Sequence, residues 1–241
     1  MNGLIERTTY RWFEEVAARM HKDARPTTPE DRLLFCVFPL AYNYCSAIFR
    51  LIEADHKLPA MALLRVLAEL TLRVMWCLYE NNPEGERPTV RIMRWLKTAC
   101  GEEIKRLQRM LPSAGEEGRE RIERQIALLE TEKKKTSCQT RALYNELDKL
   151  PDLVKHKLYP LLYGSFNRAI HPDPVLFADL TKPQGDELVF LRDPDKPSAH
   201  VLRICAMTNA YHLLSIVYFH YGWDSEPMKA EYLAIEEGSA N

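Results

Sequence analysis

The sequence is poor in glycine and has few runs of β-branched residues. Only nine of its 241 residues are glycine, whereas the helix formers leucine, alanine, glutamate and arginine are abundant. This composition argues against a protein built on β-sheets, and the chain is long enough for one substantial core. We therefore predict an all-α fold, a single helical bundle of about six to seven helices.

An excess of either charge is also missing, since 33 basic residues balance 34 acidic ones and the net charge is -1. The chain thus lacks an overall basic footprint for nucleic acid, although a local patch stays open. No secretory leader is recognisable, and the best membrane candidate, residues 58–79, contains three charges that a bilayer centre would penalise. We expect a cytoplasmic protein with no membrane partner.

Motifs for metals, cofactors and covalent catalysis are absent as well. The six cysteines lie far apart with no C-x-x-C pair, which is typical of a reduced protein without structural zinc. The E-x-x-H pairs of di-iron bundles occur once, at Glu53 and His56, where the helix ends. Neither a G-x-S-x-G elbow nor a glycine-rich phosphate loop is present. We therefore expect no metal and no cofactor.

Apolar periodicity predicts the order of the helices. They are expected over residues 3–22, 29–55, 61–76, 88–110, 113–135, 152–170 and 198–221. Thr28 and Pro29 suit the start of the second helix as its N-cap and first residue, whereas Pro39 inside it predicts a kink or a break. Ser113 and Glu116 are the pattern of a capping box for the fifth helix.

Residues 1–225 are expected to form one helical domain with two excursions. The segment 113–135 is mostly charged with a thin apolar line, so we predict a projecting, well-solvated arm. Residues 172–197 contain five prolines and the short extended runs LFADL and ELVFL, which predict a small hairpin or an irregular flap. Residues 226–241 are expected to be a frayed tail.

The first candidate site is the segment MALLRVLAELTLRVMW, residues 61–76. It is apolar almost all the way round but carries Arg65, Glu69 and Arg73 at intervals of four, so the charges spread over only about 80° of the helix. We predict a central helix that touches neighbours on most sides. Its charges either pair along a thin solvent seam or line a cleft that faces a ligand, and both interpretations stay open.

A second polar line ends at a histidine. Tyr159, Tyr163, Asn167 and His171 recur every four residues, and Pro172 should end the helix at His171. A histidine at a helix C-terminus feels the negative end of the helix dipole, which suits a proton-transfer group but equally a simple cap. Two such lines in one bundle favour a shared polar pocket.

The last predicted helix adds a third, weaker candidate. Asn209, His212 and Ser215 lie within one face of an otherwise apolar segment. His212 is either a hydrogen-bonded core residue or a further binding residue. Arg73 of the first candidate site is a binding candidate as well.

The first two lines together resemble a widespread bacterial family of all-helical domains of unknown function. Its members carry an A-x-L-x-R-x-x-x-E helix and, later, a Y-x-x-L-S-x-x-x-H-P helix end. The first motif is matched, with its alanine shifted by one, by Ala62, Leu64, Arg65 and Glu69. The second is matched, with Phe-Asn in place of Leu-Ser, by Tyr163, Phe166, Asn167, His171 and Pro172. The resemblance assigns no activity.

The bundle is also similar in outline to HEPN domains, helical modules of toxins and antiviral systems that often cleave RNA. That resemblance implies a metal-independent ribonuclease and a homodimer. The arginine–histidine signature of those domains is matched only by Arg50 and His56, at the frequency expected by chance. HEPN-like chemistry would therefore use Arg65, Glu69 and His171 from different helices.

The sequence is therefore compatible with two functions. In an RNA-acting effector, His171 would be the general acid and base, Arg65 would stabilise phosphate charge, and Glu69 would orient one of them. Tyr163 and Asn167 would act as further donors. In a non-catalytic helical module, the polar lines would instead be buried networks that fix helix register, and the charged arm would contact a partner protein.

Overall fold

The computed structural model of the chain describes residues 2–78, 86–134, 180–184, 187–190 and 197–240. Within them it contains seven α-helices and one short hairpin, so the all-α fold class is confirmed. The helices are α1 (Asn2–Asp23), α2 (Pro29–Glu53), α3 (Lys57–Leu78), α4 (Pro88–Met110), α5 (Glu116–Lys134), α6 (Ala199–Tyr221) and α7 (Glu226–Ala240). The strands are β1 (Thr181–Gln184) and β2 (Glu187–Phe190). The helix predicted over residues 152–170 lies outside the described residues.

The chain divides into two compact units. The first unit comprises Met1–Met75 and Pro151–Asn241, and the second comprises Trp76–Leu150. The prediction of a single helical domain over residues 1–225 stays a prediction.

Helix α6 forms the centre of the first unit because it is apolar on nearly every side. More than half of its residues are buried, and it packs against α1, α2 and α7. Large side chains such as Phe13 of α1 and Phe49 of α2 complete this core, and each buried side chain of this kind stabilises the fold by about 1.5–3 kcal/mol. The helix ends at Gly222, whose φ of 66° is a left-handed conformation that suits glycine.

Helix α2 begins where the sequence predicts. The Thr28 hydroxyl accepts from the backbone N–H of Asp31 at 3.1 Å, and the Asp31 carboxylate accepts from the backbone N–H of Thr28 at 2.9 Å. This reciprocal capping box confirms Thr28 as the N-cap. The helix then continues through Pro39 to Glu53, so the break that Pro39 predicted is wrong, whereas the alternative of a kink stays a prediction. Pro39 is exposed, and on that side water can reach the carbonyl that proline leaves without a donor.

The frayed tail predicted for residues 226–241 is also wrong. Residues 226–240 form α7, which buries Met228 and Tyr232. The Tyr232 ring stacks on that of Tyr211 in α6, with ring centroids 4.2 Å apart. The Glu231 carboxylate accepts hydrogen bonds from α1 as well, so contacts with two other helices hold this end of the chain in place.

Among the described residues, α2 is the helix whose length and composition would allow it to cross a membrane. The segment singled out in the sequence, residues 58–79, corresponds to α3, which does not meet that criterion. Core helices of soluble proteins and signal sequences pass the same test. The expectation of no membrane partner therefore stays a prediction.

The second unit contains a helical hairpin. Helix α4 is followed by a 3₁₀ turn, Leu111–Ser113, and α5 then lies beside α4. No residue of α5 is fully buried, and its apolar line of Ile122, Ile126 and Leu129 is only half-buried. The predicted capping box of Ser113 and Glu116 is wrong, because Ser113 ends the 3₁₀ turn and α5 begins at Glu116, so that the residue before the helix is Gly115.

The hairpin confirms the excursion before the last core helix but shifts its first strand. Strands β1 and β2 are antiparallel, with Thr181 opposite Phe190 and Gln184 opposite Glu187. The second strand falls on the predicted ELVFL run. The first strand has the sequence TKPQ, which lies between the two predicted runs. The end of the predicted LFADL strand, Leu180, lies in a turn, and the rest of that run lies outside the described residues.

Candidate functional site

Helix α3 carries the first predicted site, and over residues 62–74 it divides lengthwise into two faces. One face is buried and consists of Leu64, Leu67, Ala68, Thr71, Leu72 and Val74. The other face is half-buried and consists of Ala62, Leu63, Arg65, Val66, Glu69, Leu70 and Arg73. At 100° per residue the half-buried face spans about 160°. The charges thus lie on a partly accessible, otherwise apolar surface that is wider than the thin seam or narrow cleft expected.

Glu69 stands between the two arginines and binds both. Arg73 donates twice to Oε1, from Nε at 3.0 Å and from Nη2 at 2.7 Å. On the other side, Arg65 Nη1 lies 3.6 Å from Oε2. The two oxygens of one carboxylate are therefore divided between two guanidinium groups, each one turn away along the helix.

These three side chains are neither sealed nor fully solvated. Arg65 is 17% exposed, Glu69 26% and Arg73 25%. Ion pairs one turn apart on a helix contribute only about 0.2–0.5 kcal/mol each, so these three residues, the α3 line, add little to stability. The α3 line does hold two guanidinium groups in defined positions with a net charge of +1. Such an arrangement can bind an oxyanion, because the guanidinium fork matches carboxylate and phosphate oxygens.

His212, the secondary binding candidate, is a largely buried residue of α6. Burial lowers the pKa of its imidazole to about 4, so the ring is neutral at pH 7. Its ring contacts that of Tyr211, with centroids 5.3 Å apart. A neutral imidazole can donate from one nitrogen and accept at the other, but it offers no positive charge to a phosphate.

The two polar residues predicted beside His212 bond to their own helix. The Asn209 side-chain amide donates to the carbonyl of Cys205 at 2.8 Å, and the Ser215 hydroxyl donates to the carbonyl of Tyr211 at 2.7 Å. Bonds of this kind, four residues back along a helix, are a common way for polar residues to sit in a core. Asn209 and Ser215 are therefore bonded within α6, the first in the core and the second at a half-buried position.

The second predicted line lies outside the described residues. Tyr163, Asn167 and His171 all fall between positions 151 and 179, which the structure does not describe. A pocket shared by Arg65 and His171 therefore stays a prediction.

The structure reveals a polar cluster that the sequence did not suggest, between the start of α2 and the end of α6. His220 Nε2 lies 3.0 Å from Oδ1 of Asp31. The other carboxylate oxygen, Oδ2, accepts from the hydroxyls of Thr27 and Thr28 at 3.3 and 2.7 Å. Asp31 is buried, so this one side chain caps its own helix and ties it to another.

Burial and hydrogen bonding act in opposite directions on Asp31. Burial by itself raises the pKa of the carboxyl, but hydrogen bonds from His220 and Thr28 outweigh it and hold the pKa well below its usual range. For Tyr221, burial and the neighbouring Asp31 carboxylate raise the pKa of the phenol. The carboxylate is therefore ionised at neutral pH and serves as an acceptor on both oxygens.

Two further polar contacts join helices of the first unit. Arg203 of α6 donates from Nε to Glu6 of α1 at 2.6 Å, with side-chain exposures of 9% and 13%. Glu231 of α7 accepts from Arg11 and from the Trp12 indole at 2.6 and 2.8 Å. A single sequence does not reveal such pairs, because the partners are 197 to 220 positions apart.

A metal site is not evident in the part of the chain that the structure describes. No group of three or more histidine, cysteine or carboxylate side chains there could hold an ion. The buried cysteines behave as apolar core residues, since burial raises the pKa of the thiols of Cys45 and Cys205 to about 12 and about 11.

Comparison with known proteins identifies a family but no characterised relative. The model of a family of unknown function (DUF5677) matches residues 31–188, more than half of the chain. No curated protein and no solved structure matches the chain. The match includes Arg65, Glu69 and Arg73 as well as His171, and it excludes His212. The predicted membership of a family of unknown function is thereby confirmed, whereas the likeness to HEPN domains stays a prediction.

Proposed function

The chain belongs to DUF5677, a family of unknown function, and from that premise and the geometry of α3 we propose that it is a helical effector that acts on RNA. In this proposal Arg65 and Arg73 bind phosphate, and Glu69 orients the two guanidinium groups. His171 acts as general acid and base, with Tyr163 and Asn167 as further donors.

One observation carries the proposal: two half-buried guanidinium groups converge on one carboxylate along a helix that is otherwise apolar. Arginine is the residue best suited to bind phosphate, because its planar fork matches two phosphate oxygens. Such a site needs arginines that are held in place and still accessible, and exposures of 17% and 25% meet both conditions.

The energetics of the line favour a functional role over a structural one. Ion pairs along a helix contribute about 0.2–0.5 kcal/mol each, whereas an apolar side chain buried at the same position would contribute about 1.5–3 kcal/mol. Three charges on a half-buried helix face therefore cost stability relative to apolar residues. A cost of this kind is typical of residues kept for function.

The test is the treatment of an RNA pool with the purified protein, at several pH values and with a chelator present. We expect cleavage that persists with the chelator, because the proposed mechanism uses side chains as acid and base and needs no metal. His171→Ala should abolish it, and Arg65→Gln should reduce it strongly. Intact RNA at every pH, or cleavage unchanged in His171→Ala, would contradict the catalytic part of the proposal.

A second candidate is a non-catalytic helical module that recognises a partner protein. The buried pair of Glu6 and Arg203 supports it, since that pair joins α1 to α6 at 2.6 Å and fixes how the two helices align. In this case the charges of α3 would serve the fold as well, and α5, which has no fully buried residue, would be the contact surface.

The melting temperature of Arg65→Ala separates the two candidates. If the α3 line is a ligand site, the loss of one ion pair and a partly exposed side chain should change stability little. If the line is a structural network, removal of Arg65 breaks that network, and the melting temperature should fall sharply. A cytoplasmic location and a homodimer belong to the first candidate as predictions.

A further inference from the structure

We infer that Arg65 and Arg73 together bind one phosphodiester group of RNA, and that Glu69 occupies the place of that group in the ligand-free protein. This inference rests on the proposed function and deepens it. It gives Glu69 a second role, that of an internal competitor that a phosphate must displace.

The match between the two anions supports the inference. A carboxylate and a phosphodiester each carry one negative charge, shared between two oxygens. In the structure Oε1 of Glu69 accepts from Arg73 and Oε2 faces Arg65. The two non-bridging oxygens of a phosphodiester can be divided between the same guanidinium groups in the same way.

The convergence of the arginines points to a single phosphate instead of a row of phosphates. Both guanidinium groups reach the same carboxylate, at 3.6 Å for Arg65 and 2.7 Å for Arg73. One carboxylate thus spans the gap between the two groups, and a single phosphate with two non-bridging oxygens can span it as well. The line should therefore neutralise one phosphate of the strand.

Competition by Glu69 follows from the charges. With Glu69 ionised the line has a net charge of +1, and without that charge it has +2. Removal of the Glu69 charge strengthens the attraction for an anion. It also leaves the two long arginine side chains less ordered, and ordering them on binding costs affinity. Because the site is half-buried, where charges attract more strongly than in water, we expect the gain in attraction to win.

The test is binding of a short, fluorescently labelled single-stranded RNA by anisotropy, at several salt concentrations. The RNA carries 2′-O-methyl groups, so that its phosphodiesters are kept while attack by the 2′-hydroxyl is blocked. Binding is then measured independently of cleavage. The variants are Glu69→Gln and Glu69→Met, which keep the side-chain length and suit the half-buried surroundings, together with Arg65→Gln and Arg73→Gln. Glu53→Gln, which removes the same charge from an exposed position at the end of α2, is the matched control.

We expect Glu69→Gln and Glu69→Met to bind several-fold more tightly than the wild type, and Glu53→Gln to bind like it. The arginine variants should bind more weakly. The slope of log K against log salt concentration counts the phosphates neutralised, at about -0.7 for each phosphate of a single strand. The double variant of Arg65 and Arg73 should therefore lose about 0.7 of slope, as one phosphate requires.

The results separate a failure of the inference about Glu69 from a failure of the proposed function. If the wild type binds but the Glu69 variants bind equally or more weakly, Glu69 is not a competitor, and the inference falls while the proposed RNA binding stands. A loss of about 1.4 of slope in the double arginine variant would mean two phosphates, with the same consequence. If neither the wild type nor the Glu69 variants bind the RNA, the proposed function fails, and the inference falls with it.

Discussion

The described residues of the first unit show two kinds of contact made by charged side chains, and these differ in what they connect. Glu6 with Arg203 and Asp31 with His220 join different helices, at 2.6 and 3.0 Å. The pairs of Glu69 on α3 join residues of one helix. A pair between helices constrains how the chain packs, whereas a pair within one helix constrains only the side chains that form it.

Accessibility separates only one of the pairs between helices from those of α3. Glu6 and Arg203 are at most 13% exposed, whereas on α3 the exposures range from 17% to 26%. The contacts of Asp31 with His220 and of Arg11 with Glu231 also join helices, but His220 is 24% exposed and Glu231 40%. What separates the two kinds is therefore whether the contact ties two helices together, and not how deeply it is buried. Each prediction below tests this division.

The largest effect is expected for Glu6→Ala. This change leaves the Arg203 guanidinium buried without its carboxylate, which should lower the free energy of unfolding by about 3 kcal/mol. Chemical denaturation measures it, with Glu14→Ala, an exposed glutamate of the same helix, as control. A combined Glu6→Leu and Arg203→Met variant should recover most of the loss. A loss no greater than that of the control would mean that this pair, like those of α3, contributes little to the stability of the fold.

The next largest effect is expected for the contact of Asp31 in α2 with His220 in α6, whose contribution to the free energy of unfolding should depend on pH. Hydrogen bonds hold the pKa of Asp31 below its usual range in the folded protein, whereas in the unfolded chain it is about 3.9. The unfolded chain therefore binds the proton more readily. The stabilisation is fully present above about pH 5 and is lost as the pH falls below about 4.

Asp31→Asn is accordingly expected to lower the free energy of unfolding by about 1–2 kcal/mol at pH 7. The difference from the wild type should shrink between pH 5 and pH 3. Asp23→Asn, at an exposed position near the end of α1, makes the same change of charge without breaking the tie and should show no such difference. A difference that stays constant down to pH 3 would refute this assignment of the pKa.

A smaller effect is expected at the last helix. Glu231→Ala removes the acceptor of both Arg11 and Trp12, and because the carboxylate is 40% exposed the cost should be about 1 kcal/mol. Glu226→Ala is the control, since that carboxylate pairs with Lys229 of its own helix and should cost only a few tenths of a kcal/mol. Hydrogen exchange of the α7 amides should rise in the first variant and stay unchanged in the second. Equal effects would mean that Glu231 does not hold α7 in place.

The same division explains how much the sequence could predict. Helix bounds and the α3 line depend on residues within a few turns of one another, so periodicity and N-cap patterns suffice to find them. Thr28 as N-cap and the α4 bounds are examples. The pair of Asp31 and His220 depends instead on which helices pack together, and its members are 189 positions apart. No local pattern contains that information.

The wrong predictions have local physical reasons. Residues 226–240 read as a tail because glutamates flank their one short apolar run, YLAI. The spacing of Met228 and Tyr232, one turn apart, is nevertheless that of a helix with one buried side. Pro39 should break a helix in a core, but it lies on the exposed side of α2. In both cases the outcome depended on which side of the helix was covered.

The smallest effect is the most informative for the α3 line. A double-mutant cycle of Arg73→Gln and Glu69→Gln, measured by chemical denaturation, should give a coupling energy of about 0.3–0.5 kcal/mol, as for other pairs one turn apart. The cycle with Arg65 should give less, because its nearest contact to Glu69 is 3.6 Å instead of 2.7 Å. Values this small would mean that the fold barely depends on the three charges, so that a phosphate could replace Glu69 at little cost. A coupling energy above about 1.5 kcal/mol would instead mean that the α3 pairs stabilise the fold as much as a contact between helices does. The α3 line would then have a structural role.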